Sequence, residues 1–415
     1  MVATGSIQIL LFIGIGLFSA RIFGEIFERL KMSSIVGELL AGILLGGPLF
    51  AAIGFDYSLV MDSDVLLQFS QIGILLLLFI VGLEINLSDL RKSGKRSIFV
   101  SIIEVSVAYL GGFLTGHFIL GLELRYAFFF ALLFTATSIG VTVRSLSNLG
   151  KLDTEVGRTL LSVAVLDDFL ALLLVLILGG TLFPSPDGNP LLDILFLFLF
   201  IILVVLVIPI VLRFAENKLN IFSRSATHHF SIGIIFALLV TLSFFADFFG
   251  FSGAIIAFLF GLSIQRNSII VRDIKETFVK FGEGVFIPLF FFSVGASFQL
   301  NAALFTWQNL LIIPLAIVAK AIGAFAGSKA TGFDFKSSSQ VAVGMMPRAE
   351  IVIVIAEIGL LNGIFTQDVF SMAILLVFVT VLFTPITIKL VFRTRKQTDK
   401  TLDKKPHKED MTDTN

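Results

Sequence analysis

Cysteine is absent from the chain, and charged residues are scarce: they fill 14% of 415 positions, where soluble globular domains carry about 25%. The first absence excludes disulfides, thiolate metal sites and cysteine nucleophiles. The second excludes a soluble globular protein, since 56% of residues are hydrophobic and the mean hydropathy is +1.00. Charge of one sign is also missing, with 30 basic and 30 acidic residues, so nothing in the balance points to nucleic acid. The start, Met1-Val2-Ala3-Thr4-Gly5, lacks the basic segment of a signal peptide, so the first apolar run reads as a retained span. No polar stretch of soluble-domain length separates any two apolar runs. This composition belongs to a polytopic membrane protein.

What is present is apolar sequence in span-sized pieces, with 47 phenylalanines suited to lipid-facing surface and helix packing. A span needs about 20 apolar residues, and thirteen candidates lie near 6–28, 33–48, 64–84, 97–120, 125–147, 155–181, 190–213, 227–247, 251–266, 276–298, 307–328, 337–360 and 367–392. The second and ninth are short. Lys and Arg cluster after the odd-numbered spans, as with Arg91, Lys92, Lys95 and Arg96 after the third, while the alternate loops hold almost none apart from Arg125. The positive-inside rule then puts the N-terminus outside and the C-terminus in the cytoplasm. Trp307 reads as an outer-face anchor, and residues 394–415 as a disordered cytoplasmic tail.

Two stretches recur. Leu78-Phe79-Ile80-Val81-Gly82-Leu83-Glu84 aligns with Phe291-Phe292-Ser293-Val294-Gly295-Ala296-Ser297, and Gly37-Glu38-Leu39-Leu40-Ala41 aligns with Gly253-Ala254-Ile255-Ile256-Ala257 at nearly the same offset. The pattern predicts one transmembrane domain over 1–393, with a first repeat at about 6–181, a linker helix at about 190–213 and a second repeat at about 227–392. A single linker span makes the second half enter from the opposite face, an inverted repeat of the kind used for alternating access.

The chemistry-bearing residues sit inside predicted spans. Asp167 and Asp168 lie in the middle of an apolar run, Leu161 to Leu173. A charge at the bilayer centre costs at least about 2.5–3.5 kcal/mol, so the pair needs a cation, protons or a use. A purely structural acid pair is the plainer reading; a mid-membrane site for a cation or protons is the one adopted. Neighbours on a helix point about 100° apart, so one carboxylate faces a cavity while the other turns to a neighbouring helix. Lys320, deep in the span Leu311 to Phe325, is the expected partner of one Asp. Two spans read as interrupted helices: Thr135-Ala136-Thr137-Ser138-Ile139-Gly140 in the fifth, and Gly344-Met345-Met346-Pro347-Arg348-Ala349-Glu350 in the twelfth. They occupy corresponding places in the two halves, where freed carbonyls would complete a cation's coordination. Thr135 and Thr137 therefore join the candidate cation and proton site. Arg348, Glu350 and Glu84, with Glu357, read as a mainly structural ion-pair set that holds the broken helix, with a direct transport role for Glu350 as the alternative. Glu38, Glu104, Asp247 and Glu283 read as packing or interface acids, and His117, His228 and His229 as residues near span ends.

Thr135 to Ser138, Leu152-Asp153-Thr154-Glu155-Val156-Gly157-Arg158, Val165 to Asp168 and Gly344 to Glu350 together resemble the monovalent cation:proton antiporter-2 family. The resemblance covers nearly the whole membrane region. It implies the all-α sodium/proton antiporter fold, with about 13 transmembrane helices, two inverted six-helix repeats and two crossed broken helices. It also implies a homodimer in the lipid bilayer of a prokaryotic cell membrane, serving cation and pH homeostasis without a cofactor or an enzymatic reaction. Asp168 would be the main carboxylate for Na+ and H+, and Asp167 would exchange Lys320 for the cation, so that both aspartates hold the transported Na+. Two protons per sodium is the implied stoichiometry. Potassium-efflux relatives carry Gln at the first acid and add a nucleotide-binding domain; Asp167 and the short tail favour the sodium type, with Li+ and K+ as further cations to test. A K+/H+ antiporter is the alternative. An intramembrane aspartyl protease is a remote one, because its two aspartates must share a water from separate helices.

Overall fold

The computed structural model describes residues 2–45, 64–84, 94–182, 199, 201–219, 230–248, 252–264, 268–298 and 302–392. Every regular element among them is helical, as hydrocarbon requires of segments that must satisfy their own backbone polar groups. The first half contains α1 (Val2–Arg29), α2 (Ser34–Leu45), α3 (Asp64–Glu84), α4 (Lys95–Leu114), α5 (Leu124–Phe130), α6 (Ile139–Asn148) and α7 (Glu155–Leu182). After α8 (Ile208–Leu219), the second half contains α9 (Phe230–Phe248), α10 (Gly253–Ile264), α11 (Ser268–Phe281), α12 (Ile287–Ala296), α13 (Trp307–Ala330), α14 (Phe335–Gly344), α15 (Glu350–Leu361) and α16 (Gln367–Val391). Among the described residues, eight helical runs are long and apolar enough to cross a membrane, and shorter apolar helices at Ser34–Leu45, Gln68–Glu84, Leu203–Phe214 and Gly253–Ile264 add four more. These twelve and the α14–α15 pair coincide with the thirteen apolar runs of the sequence. Residues 190–198 of the expected linker span and the expected tail at 394–415 lie outside the described residues.

Packing is densest within two groups of helices. One comprises α1, α2, α3, α9, α10 and α12; the other comprises α4 to α7 and α13 to α16. In the first group, each short helix lies on a helix of the opposite half: α2 on α12, and α10 on α3. Glycine permits both approaches. A Cβ at Gly295 would sit 2.1 Å from the Leu39 carbonyl oxygen, and one at Gly82 would sit 2.3 Å from that of Phe258. These are the two glycines that the internal repeat aligns. Because backbone rather than a flexible side chain blocks the space, Gly295→Ala is expected to cost about 1–3 kcal/mol or more. The check is the unfolding midpoint in detergent, with Gly14→Ala as control, since a Cβ there meets nothing within 4 Å.

Outward faces of both groups carry large apolar side chains, among them Phe18, Phe99, Ile102, Phe118, Phe244 and Ile386, as a lipid-facing surface requires. The second group begins its α14 with an N-cap. The Asp334 carboxylate accepts the Ser337 and Lys336 amides at 3.1 and 3.3 Å, and hydrogen bonding from Ser337 holds it below the usual carboxylate range.

Candidate ion-binding site

The helical interruptions fall where the sequence places them. Helix α5 tightens through a short 3-10 turn at Ala131–Phe134, the chain runs non-helically through 135–138, and α6 resumes at Ile139. On the other side α14 ends at Gly344, Pro347 withholds an amide, and α15 resumes at Glu350. The two breaks cross and satisfy each other. The Ser138 amide donates to the Pro347 carbonyl at 2.8 Å, and the Thr142 hydroxyl donates to the Gly344 carbonyl at 2.7 Å. Thr380 on α16 accepts the Arg348 amide at 3.1 Å.

Two buried cations occupy carbonyls at the end of the first half-helix. The Lys320 ammonium donates to the Thr135 carbonyl, and the Arg348 guanidinium donates to those of Ala136 and, at 3.1 Å, Ala316. Both side chains are fully enclosed, at 0% exposure. A helix C-terminus presents partial negative charge, so fixed cations neutralise it here. The carbonyls of Thr135 and Ala136, expected to face a transported ion, are bonded to side chains in this structure. Thr135 directs its hydroxyl to the Leu132 carbonyl at 2.8 Å.

Helix α7 presents the paired aspartates in different directions. Asp167 points into the gap between α4 and α13, where Lys320 donates to it at 2.9 Å, Ser101 at 2.6 Å and Thr137 at 3.3 Å. Asp168 is enclosed but for 8% of its surface, and its Oδ1 has no hydrogen-bond partner among the described residues. The Thr137 backbone amide donates to this carboxyl, and Glu350, Asp167 and Lys320 are the charged groups around it. Glu350 Oε2 is likewise buried without a partner. The arrangement therefore contains one carboxylate with a cation and donors, and beside it one with a bare oxygen and no ion pair among the described residues. Bare carboxylate oxygens of this kind are ligands for a hard monovalent cation or for a proton.

The expected ion-pair set of Arg348, Glu350 and Glu84 does not form. Arg348 bonds to carbonyls, and the charges acting on it are those of Glu104 and Asp167. Glu350 begins α15 just past the non-helical Ala349 (φ −150°, ψ −118°), and its Oε2 has no hydrogen-bond partner among the described residues. Glu84 ends α3 at the surface and pairs with Lys275 at 3.6 Å. Sequence reasoning missed two residues. Glu104, placed among packing acids, forms an ion pair with Lys320, both at 0% exposure, and Ser101 donates to Asp167. Their three-residue spacing on one face of an apolar helix was the available signal. Gly323 lets α13 come that close, since a Cβ there would lie 2.8 Å from the Glu104 carbonyl oxygen.

A profile described as "Sodium/hydrogen exchanger, transmembrane" matches residues 14–394, nearly the whole chain. The chain belongs to this family. Among its relatives, the Na(+)/H(+) antiporter of Enterococcus hirae is 32% identical over 90% of this chain and 95% of its own length. The Na(+)/H(+)-K(+) antiporter GerN of Bacillus cereus is 29% identical over 91% and 94% respectively. The solved structure of the sodium proton antiporter MjNhaP1 from Methanocaldococcus jannaschii superimposes with a TM-score of 0.65, covering 93% of this chain and 96% of that one at 20% identity. Sharing that architecture, this exchanger-family chain has the sodium/proton antiporter fold with its two crossed, broken helices.

Proposed function

We propose that the chain is a secondary antiporter that exchanges Na+ for protons by alternating access at Asp167 and Asp168. The observation that carries this reading is Asp168: a buried carboxylate with an unpartnered oxygen, placed where two half-helices cross. Such a group needs a positive charge from outside the fixed structure, and a sodium ion or a proton meets that need equally. Occupancy by one excludes the other, so the two ions cross in opposite directions as the site is exposed to each side in turn. Asp167 begins the cycle paired with Lys320 and leaves it for the sodium ion, with Thr137 on the same oxygen. Arg348 holds the break in place through carbonyls rather than through Glu350. Because the second half enters from the opposite membrane face, the group of α4 to α7 and α13 to α16 is the moving body, and α1, α2, α3, α9, α10 and α12 form the support through which two copies pair. The N-terminus lies outside and the C-terminus in the cytoplasm, in a prokaryotic cell membrane, with no chemical step beyond transport.

Relatives named as K(+)/H(+) antiporters, such as the subunit KhtU of Bacillus subtilis at 27% identity, make potassium the competing cation. Proton movement in vesicles reconstituted with the purified protein separates the readings when sodium, lithium and potassium are supplied in turn. Sodium and lithium are expected to drive proton efflux. Flux with potassium alone would replace sodium by potassium in the mechanism, and flux with none of the three would reject antiport.

A further inference from the structure

Lys320 has two acidic partners, and the exchange described above uses only one. Its ammonium bridges Asp167 on α7 and Glu104 on α4, and all three side chains are wholly enclosed. Neither Glu104 oxygen accepts a regular hydrogen bond among the described residues, so the close ion pair with Lys320 is what balances this carboxyl, and Asp167 lies beside it. The other charged groups around this cluster are Asp168 on α7 and Arg348 and Glu350 at the second break. Glu104 accepts nothing from α4's own neighbours and caps no helix. Its placement answers a difficulty in the ion cycle. When sodium draws Asp167 away, an ammonium with no other anion would be stranded in the interior, and stranding a buried charge opposes the very step that binds the ion.

We propose that Glu104 is the second seat of the Lys320 ammonium: as Asp167 turns to the sodium ion, the ammonium stays with Glu104 and remains charged. Glu104 is thus a positioning residue that lowers the cost of cation entry without touching the cation. This inference rests on the antiport reading, and it adds that Lys320 keeps its proton throughout the exchange.

Glu104→Gln removes the second anion while keeping the shape. Sodium must then strip Lys320 of its only acidic partner. The apparent sodium KM is expected to rise tenfold or more, about 1.4 kcal/mol, with kcat changed less. Glu104→Asp, which keeps the anion, is expected to stay within about threefold of the unaltered protein, a rescue that a merely structural role would not require. Nitrogen-15 spectra of lysine-labelled protein at about pH 8 add a direct readout, since exposed lysines stay charged there. The unaltered protein saturated with sodium is expected to show no neutral amine, whereas Glu104→Gln with sodium shows one. A sodium KM unchanged in folded Glu104→Gln would overturn the proposal. So would a neutral amine in the sodium-saturated unaltered protein, and that spectrum decides the matter even where Glu104→Gln does not fold. If the unaltered protein moves no protons in response to sodium, the antiport reading itself fails; if it does and either overturning result appears, only the role of Glu104 fails.

Discussion

Asp168→Asn is expected to abolish sodium-driven proton movement in reconstituted vesicles, lowering the rate at least about a hundredfold, or ~2.8 kcal/mol. The loss is large because one group is asked to hold both ions, and the amide holds neither as a charge. Folding should survive. Asp168 Oδ1 makes no hydrogen bond that the packing depends on, and the carboxylate has no fixed cation of its own. Replacing a lone buried acid by a neutral isostere removes a cost, so the unfolding midpoint of Asp168→Asn should equal or exceed that of the unaltered protein. Wild-type flux in this variant would mean that the ions bind elsewhere.

Lys320→Gln should do the opposite to stability. It leaves Asp167 and Glu104 facing each other, both at 0% exposure, and removes a donor from the Thr135 carbonyl. Breaking a buried ion pair by deleting one partner costs about 3–5 kcal/mol. Protons from solvent can neutralise the orphaned acids, so the deficit should shrink as pH falls and widen as it rises. Thermal unfolding in detergent across a pH series measures this. A midpoint equal to that of the unaltered protein at every pH would show that the ammonium does not offset these carboxylates.

Much of the fold was legible because a membrane imposes few choices. Span-length apolar runs have only the helix available, and hydropathy alone located the runs that the described helices occupy. The breaks were legible for a related reason: Pro347 removes a helix amide, the Thr135 to Ser138 run sets hydroxyl residues in mid-span, and both stand at matching places in the two halves. Lys320 was legible because an ammonium that deep requires an acid. The partners of Arg348 were not legible, since a guanidinium is satisfied as well by carbonyls as by carboxylates, and composition cannot choose between them. Glu84 was misread because its distance from the membrane surface depends on where α3 ends. Glu104 was underrated because a lone acid in an apolar helix has many partners in principle, and only the approach of α13 over Gly323 selects Lys320.

The most direct test of the account is sodium affinity as a function of pH, measured on the purified protein by sodium-dependent thermal stabilisation or calorimetry. If sodium and a proton compete for one carboxylate, the apparent sodium Kd rises about tenfold for each pH unit lost on the acidic side and levels off at alkaline pH. Asp168→Asn should erase both the affinity and its pH dependence. A sodium Kd that stays constant across the same series would contradict competition at a shared site.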